Sequence, residues 1–251
     1  MNIPTDHPRY RSLMTRERLS EMVDRGLVTQ TGLVSHGRGE AFDYLMGEKS
    51  LESSLRAERA AAAHLLRAKN PVICVNGNAA ALDPGNLIAL AEEVPAKIEV
   101  NIFHRTEERM RLLISYMEEN GAEEVLGRDP DARIPGLTSD RALCTKRGIY
   151  DSDVILVPIE DGDRAKALAE MGKVVISIDL NPLSRTSRTA TVSISDEMTR
   201  ALENIIAAVK EMRGRHDLIE ETIMKFSNES NRKEIVDEIC SFLRSGSERG
   251  A

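Results

Sequence analysis

The densest chemistry in the 251-residue sequence lies between Asp179 and Arg188. There Asp179, Asn181, Ser184, Arg185, Thr186, Ser187 and Arg188 set two permanently charged guanidiniums among hydroxyls and an amide, a donor set suited to polyphosphate and ribose. A polar surface loop with a turn at Asn181-Pro182 accounts for the same residues without a ligand. In His36-Gly37-Arg38-Gly39 the arginine sits between glycines, which frees the backbone to approach a phosphate that the guanidinium grips; a surface arginine is the plain alternative. Glu160, Asp161 and Asp163 can hold Mg²⁺ through water beside a triphosphate, or form an exposed turn in which Asp163 caps the next helix. Asn101, His104, Arg105 and Glu107 can meet an anionic substrate, although Glu107 and Glu108 in a first helical turn also serve the helix dipole. Asn76-Gly77-Asn78 permits a tight turn whose following amides can hold an anion. It is neither GxGxxG nor a Walker loop, and a turn needing positive φ explains its residues equally well.

Other chemistries find less to work with. The five histidines show no HxxxH or HExxH spacing, so a catalytic metal site is not indicated. Cys74, Cys144 and Cys240 are far apart and lack a CxxC pair, which argues against a disulfide framework or a zinc site and suits a reducing compartment. Cys74 lies inside an apolar run and reads as core.

Each polar cluster needs a scaffold, and four of them follow directly on short apolar runs. Residues 71–75, 97–100, 153–159 and 173–180 read as strands, and 189–194 as a shorter one. Helical stretches fall at 106–120, closed by Gly121, at 165–171 and at 197–212, whose apolar face carries Leu202, Ile205, Ile206 and Val209. This alternation predicts an α/β fold with a doubly wound, mostly parallel, Rossmann-like sheet, which presents its ligand at the carboxyl ends of its strands. Upstream, after Pro8, residues 10–25 read as a helix stopped by Gly26, with Thr15 as an alternative start. Residues 29–45 read as a helix or turn broken by a loop at Gly32, Gly37 and Gly39, and 50–69 as a strong helix capped by Ser50. Beyond Gly214, residues 216–226 and 231–243 read as helices flanking the polar SNESN. The chain thus divides into a Rossmann-like domain with N-terminal helices, 1–213, and a helical C-terminal extension, 214–251.

Composition narrows the partners. Lys plus Arg number 34 and Asp plus Glu 41, a net charge of −7, which suits neither nucleic acid nor any other long polyanion. Four Tyr, four Phe and no Trp leave little for stacking bases. The N-terminus is charged throughout, and no segment has the roughly 20 apolar residues that span a bilayer. A soluble cytoplasmic protein without a membrane partner is the expectation.

Read in order, MNIP, LMTRERL, HGRGEAFDYL, ICVNGNAAAL, EVNIFHRTEER, ILVPIEDGDR and IDLNPLSRTSRTATVSI resemble the archaeal phosphopantothenate synthetase family over roughly residues 1 to 212. The resemblance implies an ATP-dependent ligase, a cytoplasmic homodimer, that joins 4-phosphopantoate and β-alanine into 4′-phosphopantothenate in coenzyme A biosynthesis. It implies release of AMP and diphosphate by way of an acyl-adenylate, with Mg²⁺ accompanying ATP. It carries nucleotide binding onto Arg16, Arg38, Asp179, Leu180, Asn181, Arg185, Thr186, Glu197 and Met198, with Glu197 standing where Asn is commoner in that family. For the phosphopantoate and β-alanine side, strand-end placement selects Asn76, Asn78 and Arg105. No general base is named, because the attacking carboxylate is already ionised. A pantoate kinase-like enzyme is disfavoured by the lack of GxxxxGK[ST]. A non-catalytic nucleotide-sensing module, its C-terminal helices binding a partner, is the remaining alternative.

Overall fold

The apolar runs become largely buried strands in a computed structural model that describes residues 3–7 and 9–246. Met1, Asn2, Pro8 and the Ser/Gly/Glu/Arg tail after Gly246 lie outside the described residues. Along the chain the strands are β1 (Pro71–Val75), β2 (Lys97–Val100), β3 (Val125–Leu126), β4 (Ala132–Arg133), β5 (Leu143–Cys144), β6 (Val154–Pro158), β7 (Val174–Ile178) and β8 (Val192–Ile194). Among the described residues six of them form one parallel sheet in the order β3-β2-β1-β6-β7-β8, while β4 and β5 make a short antiparallel ribbon.

Side chains alternate across this sheet, so each strand feeds two cores. Ile73, Val75, Ile98, Val100, Leu156, Ile176 and Ile194 face one layer. It is built chiefly on α3 (Glu52–Arg67), α5 (Pro84–Glu93), α6 (Glu107–Glu119) and α9 (Met198–Met212). Val72, Cys74, Ile155, Val157 and Val175 face the other, where α7 (Gly162–Glu170) and the segment around Ile134 and Ile149 pack. Helices on both faces make the architecture Rossmann-like and doubly wound. The strand order reverses between β1 and β6, and such a switch point opens a crevice at the strand ends.

Several local readings change. The helix α1 (Tyr10–Asp24) runs unbroken through Thr15, and α2 (Gln30–Met46) runs unbroken through all three glycines. Thr29 caps α2 by accepting from the Gly32 N–H, and Gly47 ends it in the left-handed region at φ 77°. A Cβ on Gly32 would stand 2.6 Å from Asn78 Oδ1, so this glycine serves close helix packing and not a loop. Ser50 does not cap α3: Leu51 holds that position, and the Ser50 hydroxyl donates to Asp196 instead. Asn76-Gly77-Asn78 is no positive-φ turn but the start of a helix, α4 (Gly77–Leu82), capped by Asn76. Gly77 is needed because a Cβ there would lie 2.3 Å from the Leu27 carbonyl oxygen. The polar stretch after β7 contains a short helix, α8 (Arg185–Thr189), capped by Ser184.

The C-terminal helices α10 (His216–Lys225) and α11 (Asn228–Gly246) lie on α3, α2 and the edge of the sheet. Ile235 and Ile239 join Met46 and Leu51 in a small apolar cluster. The Asn228 side chain donates to the Ser187 and Ala190 carbonyls at 2.9 Å each and accepts from Ser193 N–H at 2.9 Å. It thereby satisfies one N–H of the edge strand β8 and two carbonyls at the end of α8.

Candidate functional site

Two cavities adjoin along the carboxyl ends of the strands. The first, about 330 Å³, lies between α2 and the ends of β6, β7 and β8, and its lining includes Arg38, Asp179, Leu180, Asn181, Glu197 and Met198. The second, about 360 Å³, lies over β1 and β2 and is lined by Asn76, Asn78, His104, Arg109 and Arg141 among others. Ser35, Ile159 and Asp161 line both, so the two meet at the switch point.

The chain forces this rim into shape. Ile159 leaves β6 with φ 53°, a conformation costly for a β-branched residue, while its N–H donates to the Ile178 carbonyl at 3.0 Å. Asp179 accepts from Ser184 Oγ at 2.5 Å and from Asn181 N–H at 3.0 Å, and Asn181 in turn accepts from Leu183 N–H at 2.9 Å. Burial pushes the Asp179 carboxyl up against those hydrogen bonds. Glu197 caps α9, its carboxylate accepting from the Thr199 and Arg200 N–H groups at 3.0 and 3.1 Å, while burial raises its pKa. A glutamate therefore performs the capping for which asparagine is the usual choice. His36 lines the first cavity, and burial holds its imidazole below the ordinary range.

The tertiary structure assembles six of the nine sequence-predicted nucleotide residues around the first cavity and leaves three outside its lining. Arg16, on α1, donates to Glu40 at 3.1 Å and to the Tyr44 hydroxyl at 2.6 Å on the exposed side of α2. Arg185 is 72% exposed and pairs with Asp163 at 2.9 Å. Thr186 is buried, its hydroxyl donating to the Glu160 carbonyl at 2.7 Å. On the substrate side Asn78 and Asn76 line the second cavity, but Arg105 does not. Its guanidinium donates to the Gly127 and Arg128 carbonyls at 2.6 and 3.0 Å, tying the loop after β2 to the end of β3.

The carboxylates after β6 do not gather as a Mg²⁺ site. Glu160 is buried between Arg141 and Arg164, which hold its carboxyl below the ordinary range although burial pushes it up. Asp163 faces Arg185, and Asp161, not Asp163, holds the cap position of α7, without a side-chain hydrogen bond. Among the described residues no group of three or more His, Cys, Asp or Glu is placed to hold a metal ion. Cys74 is core, its thiol pushed up by burial beside Arg164. Sequence reasoning missed Arg109 and Arg141 as rim cations. Arg109 hides in a helical charge run, and Arg141 sits in a stretch without periodicity.

Comparison with known proteins shows the family. Residues 53–242 match the model of the family described as Phosphopantothenate/pantothenate synthetase. A curated relative from Methanosarcina mazei, named 4-phosphopantoate--beta-alanine ligase, is 52% identical over 97% of this chain and 96% of its own. Relatives of the same name from Thermococcus kodakarensis and Methanospirillum hungatei are 45% and 54% identical, over 97% and 81% of this chain and 93% and 83% of theirs. With three quarters of its length inside the family model and relatives matched nearly end to end, the chain belongs to the phosphopantothenate/pantothenate synthetase family.

Proposed function

We propose that the protein is an ATP-dependent carbon–nitrogen ligase that joins 4-phosphopantoate to β-alanine, giving 4′-phosphopantothenate, AMP and diphosphate in coenzyme A biosynthesis. The observation that carries this reading is the pair of cavities sharing Ser35, Ile159 and Asp161, because an adenylating ligase must bring a nucleotide and an acid together from two sides. ATP is assigned to the first cavity. Arg38 supplies charge there, the Asp179–Asn181 segment supplies polar groups, and Leu180 and Met198 supply apolar surface. The acid and the amine are assigned to the second cavity, beside Asn78.

The chemistry follows from charge. A carboxylate and a nucleotide tetra-anion repel each other, so fixed cations and aligned donors must offset that repulsion before attack on the α-phosphorus. The carboxylate oxygen then displaces diphosphate, and the β-alanine amine attacks the activated carbonyl as AMP departs. No residue of this chain is assigned to Mg²⁺, since Glu160 and Asp163 are each engaged by arginine; the ion is taken to travel with the ATP phosphates. Arg16 and Arg185 are retained as nucleotide ligands reached through side-chain movement or a second copy. A homodimer is supported by the apolar Val34, Tyr44 and Leu45 exposed on α2. Among the described residues no helix is long and apolar enough to cross a membrane, and the cytoplasm is the compartment that such a reaction needs.

The test is product analysis with purified protein. AMP that appears only when ATP, 4-phosphopantoate and β-alanine are all present supports the ligase. ADP formation would instead identify a kinase, and binding without turnover a sensor.

A further inference from the structure

Beneath the junction of the two cavities, two guanidiniums share one carboxylate. Glu160 accepts from both Arg141 and Arg164, and all three side chains are almost completely buried. A further buried carboxylate, that of Glu99, acts on Arg164 through its charge and is held by the Thr145 and Ile149 N–H groups, which leaves Arg141 as the arginine of the cluster nearest the crevice. Arg141 also pairs at longer range with Asp161, whose carboxylate lies 3.8 Å from its Nε and is 59% exposed. The Nε itself is buried and, among the described residues, makes no hydrogen bond. Arg141 therefore shares its close carboxylate with Arg164, meets a second one only at long range and keeps an unused donor, and it does so on the wall of a crevice where an anionic group can approach.

Direction distinguishes the two arginines. Arg164 turns into the core, where its Nη2 lies 3.3 Å from Cys74 Sγ. Arg141 lines the second cavity, whereas Glu160 lines the first. The pair thus spans the place where acid and nucleotide must meet. We propose that Arg141 binds the carboxylate of the acid substrate at this junction and that Glu160 is its positioning residue, an inference that rests on the ligase reading above.

In the step concerned, a carboxylate oxygen forms a bond to the α-phosphorus while the bond from that phosphorus to the bridging oxygen breaks, its electron pair leaving with diphosphate. No proton moves. Arg141 offsets the repulsion between the two anions and fixes the attacking oxygen. Glu160, held from behind by Arg164, keeps the guanidinium plane in place.

The experiment measures phosphopantoate-dependent exchange between ATP and diphosphate, which isolates this step, together with ATP affinity by calorimetry. Arg141→Gln is expected to raise the KM for 4-phosphopantoate about 30-fold or more and to lower exchange kcat/KM about 100-fold, with the Kd for ATP changed less than about twofold. Added guanidinium should restore part of the exchange in Arg141→Ala, a rescue that a purely structural role does not produce. Glu160→Asp should show the same split at smaller amplitude. Arg141→Lys keeps the charge and protects against misfolding, and it should still raise that KM about fivefold. An unchanged KM in Arg141→Lys, or ATP affinity falling in parallel with it, overturns the proposal. If the wild-type protein makes no AMP, the ligase reading itself fails. Calorimetry with 4-phosphopantoate then still decides the role of Arg141 as an anion anchor: weaker binding to Arg141→Lys supports it, and equal or undetectable binding to both proteins overturns it.

Discussion

Asn76 reaches across the switch point to the strained Ile159: its Nδ2 donates to the Pro158 and Ile159 carbonyls at 2.8 and 3.1 Å while its Oδ1 accepts from Ala79 N–H at 3.0 Å. One side chain therefore joins the end of β1 to the end of β6 and caps α4. Both amide hydrogens are engaged, so the residue shapes the wall of the second cavity more than it offers donors to a ligand. Removing it opens the crevice from its floor.

Asn76→Ala is accordingly expected to destabilise the fold by about 2–4 kcal/mol, from a lost cap of about 1 kcal/mol and carbonyls left unsatisfied. Urea denaturation measures this directly. A loss below about 0.5 kcal/mol would show that the bridge is dispensable.

Two glycines give opposite expectations. Gly77→Ala forces a Cβ to 2.3 Å from the Leu27 carbonyl oxygen, so the turn between α1 and α2 must shift, at a cost of about 2 kcal/mol or more. Gly37→Ala meets nothing within 4 Å inside α2 and should stabilise the protein by about 1 kcal/mol. If the nucleotide approaches the backbone there, the same variant raises the KM for ATP while melting at a higher temperature. Activity and melting temperature improving together would remove Gly37 from the nucleotide contact.

Glu58 carries a pH signature. Burial pushes its carboxyl from the ordinary 4.5 up to about 9, with the Asp196 carboxylate adding to the shift. The folded chain then holds a proton that the unfolded chain releases, so this group's contribution to stability is whole below about pH 4.5 and is lost as pH rises toward 9. Glu58→Gln should match the wild type near pH 4.5 and exceed it at pH 8 by at least about 1 kcal/mol. Parallel stability curves for the two proteins would contradict this.

Arg185 separates binding from folding. Its pair with Asp163 is exposed on both sides, so Arg185→Ala should change stability by less than about 0.5 kcal/mol. If its guanidinium meets a nucleotide phosphate, the variant weakens ATP use by about 2 kcal/mol, roughly a 30-fold rise in KM. Unaltered nucleotide kinetics would strike it from the site.

Some of this could be read beforehand. Strand β2 falls where the apolar run predicts it, and α6 runs between Thr106, whose hydroxyl caps it, and Gly121, which leaves it at φ 107°. The same reasoning broke α2 at its glycines, because Gly also marks loops and the packing of Asn78 against Gly32 is invisible in one dimension. It set Arg185 beside Asp179 on adjacency in sequence, whereas the Ser184 cap starts a helix that turns Arg185 outward to Asp163.

By itself the sequence determined the alternation of buried strands and helices, and so the parallel sheet with its polar residues at the carboxyl ends, because burial on both faces requires continuous apolar runs. It also carried motifs enough to identify the family. Only the tertiary structure decided which charges face one another. Arg141 and Glu160 lie 19 residues apart in a chain whose periodicity says nothing of either. Their meeting, with Arg164 behind them, depends on how two loops close over the reversal of strand order, and long-range electrostatics of that kind leaves no local pattern to read.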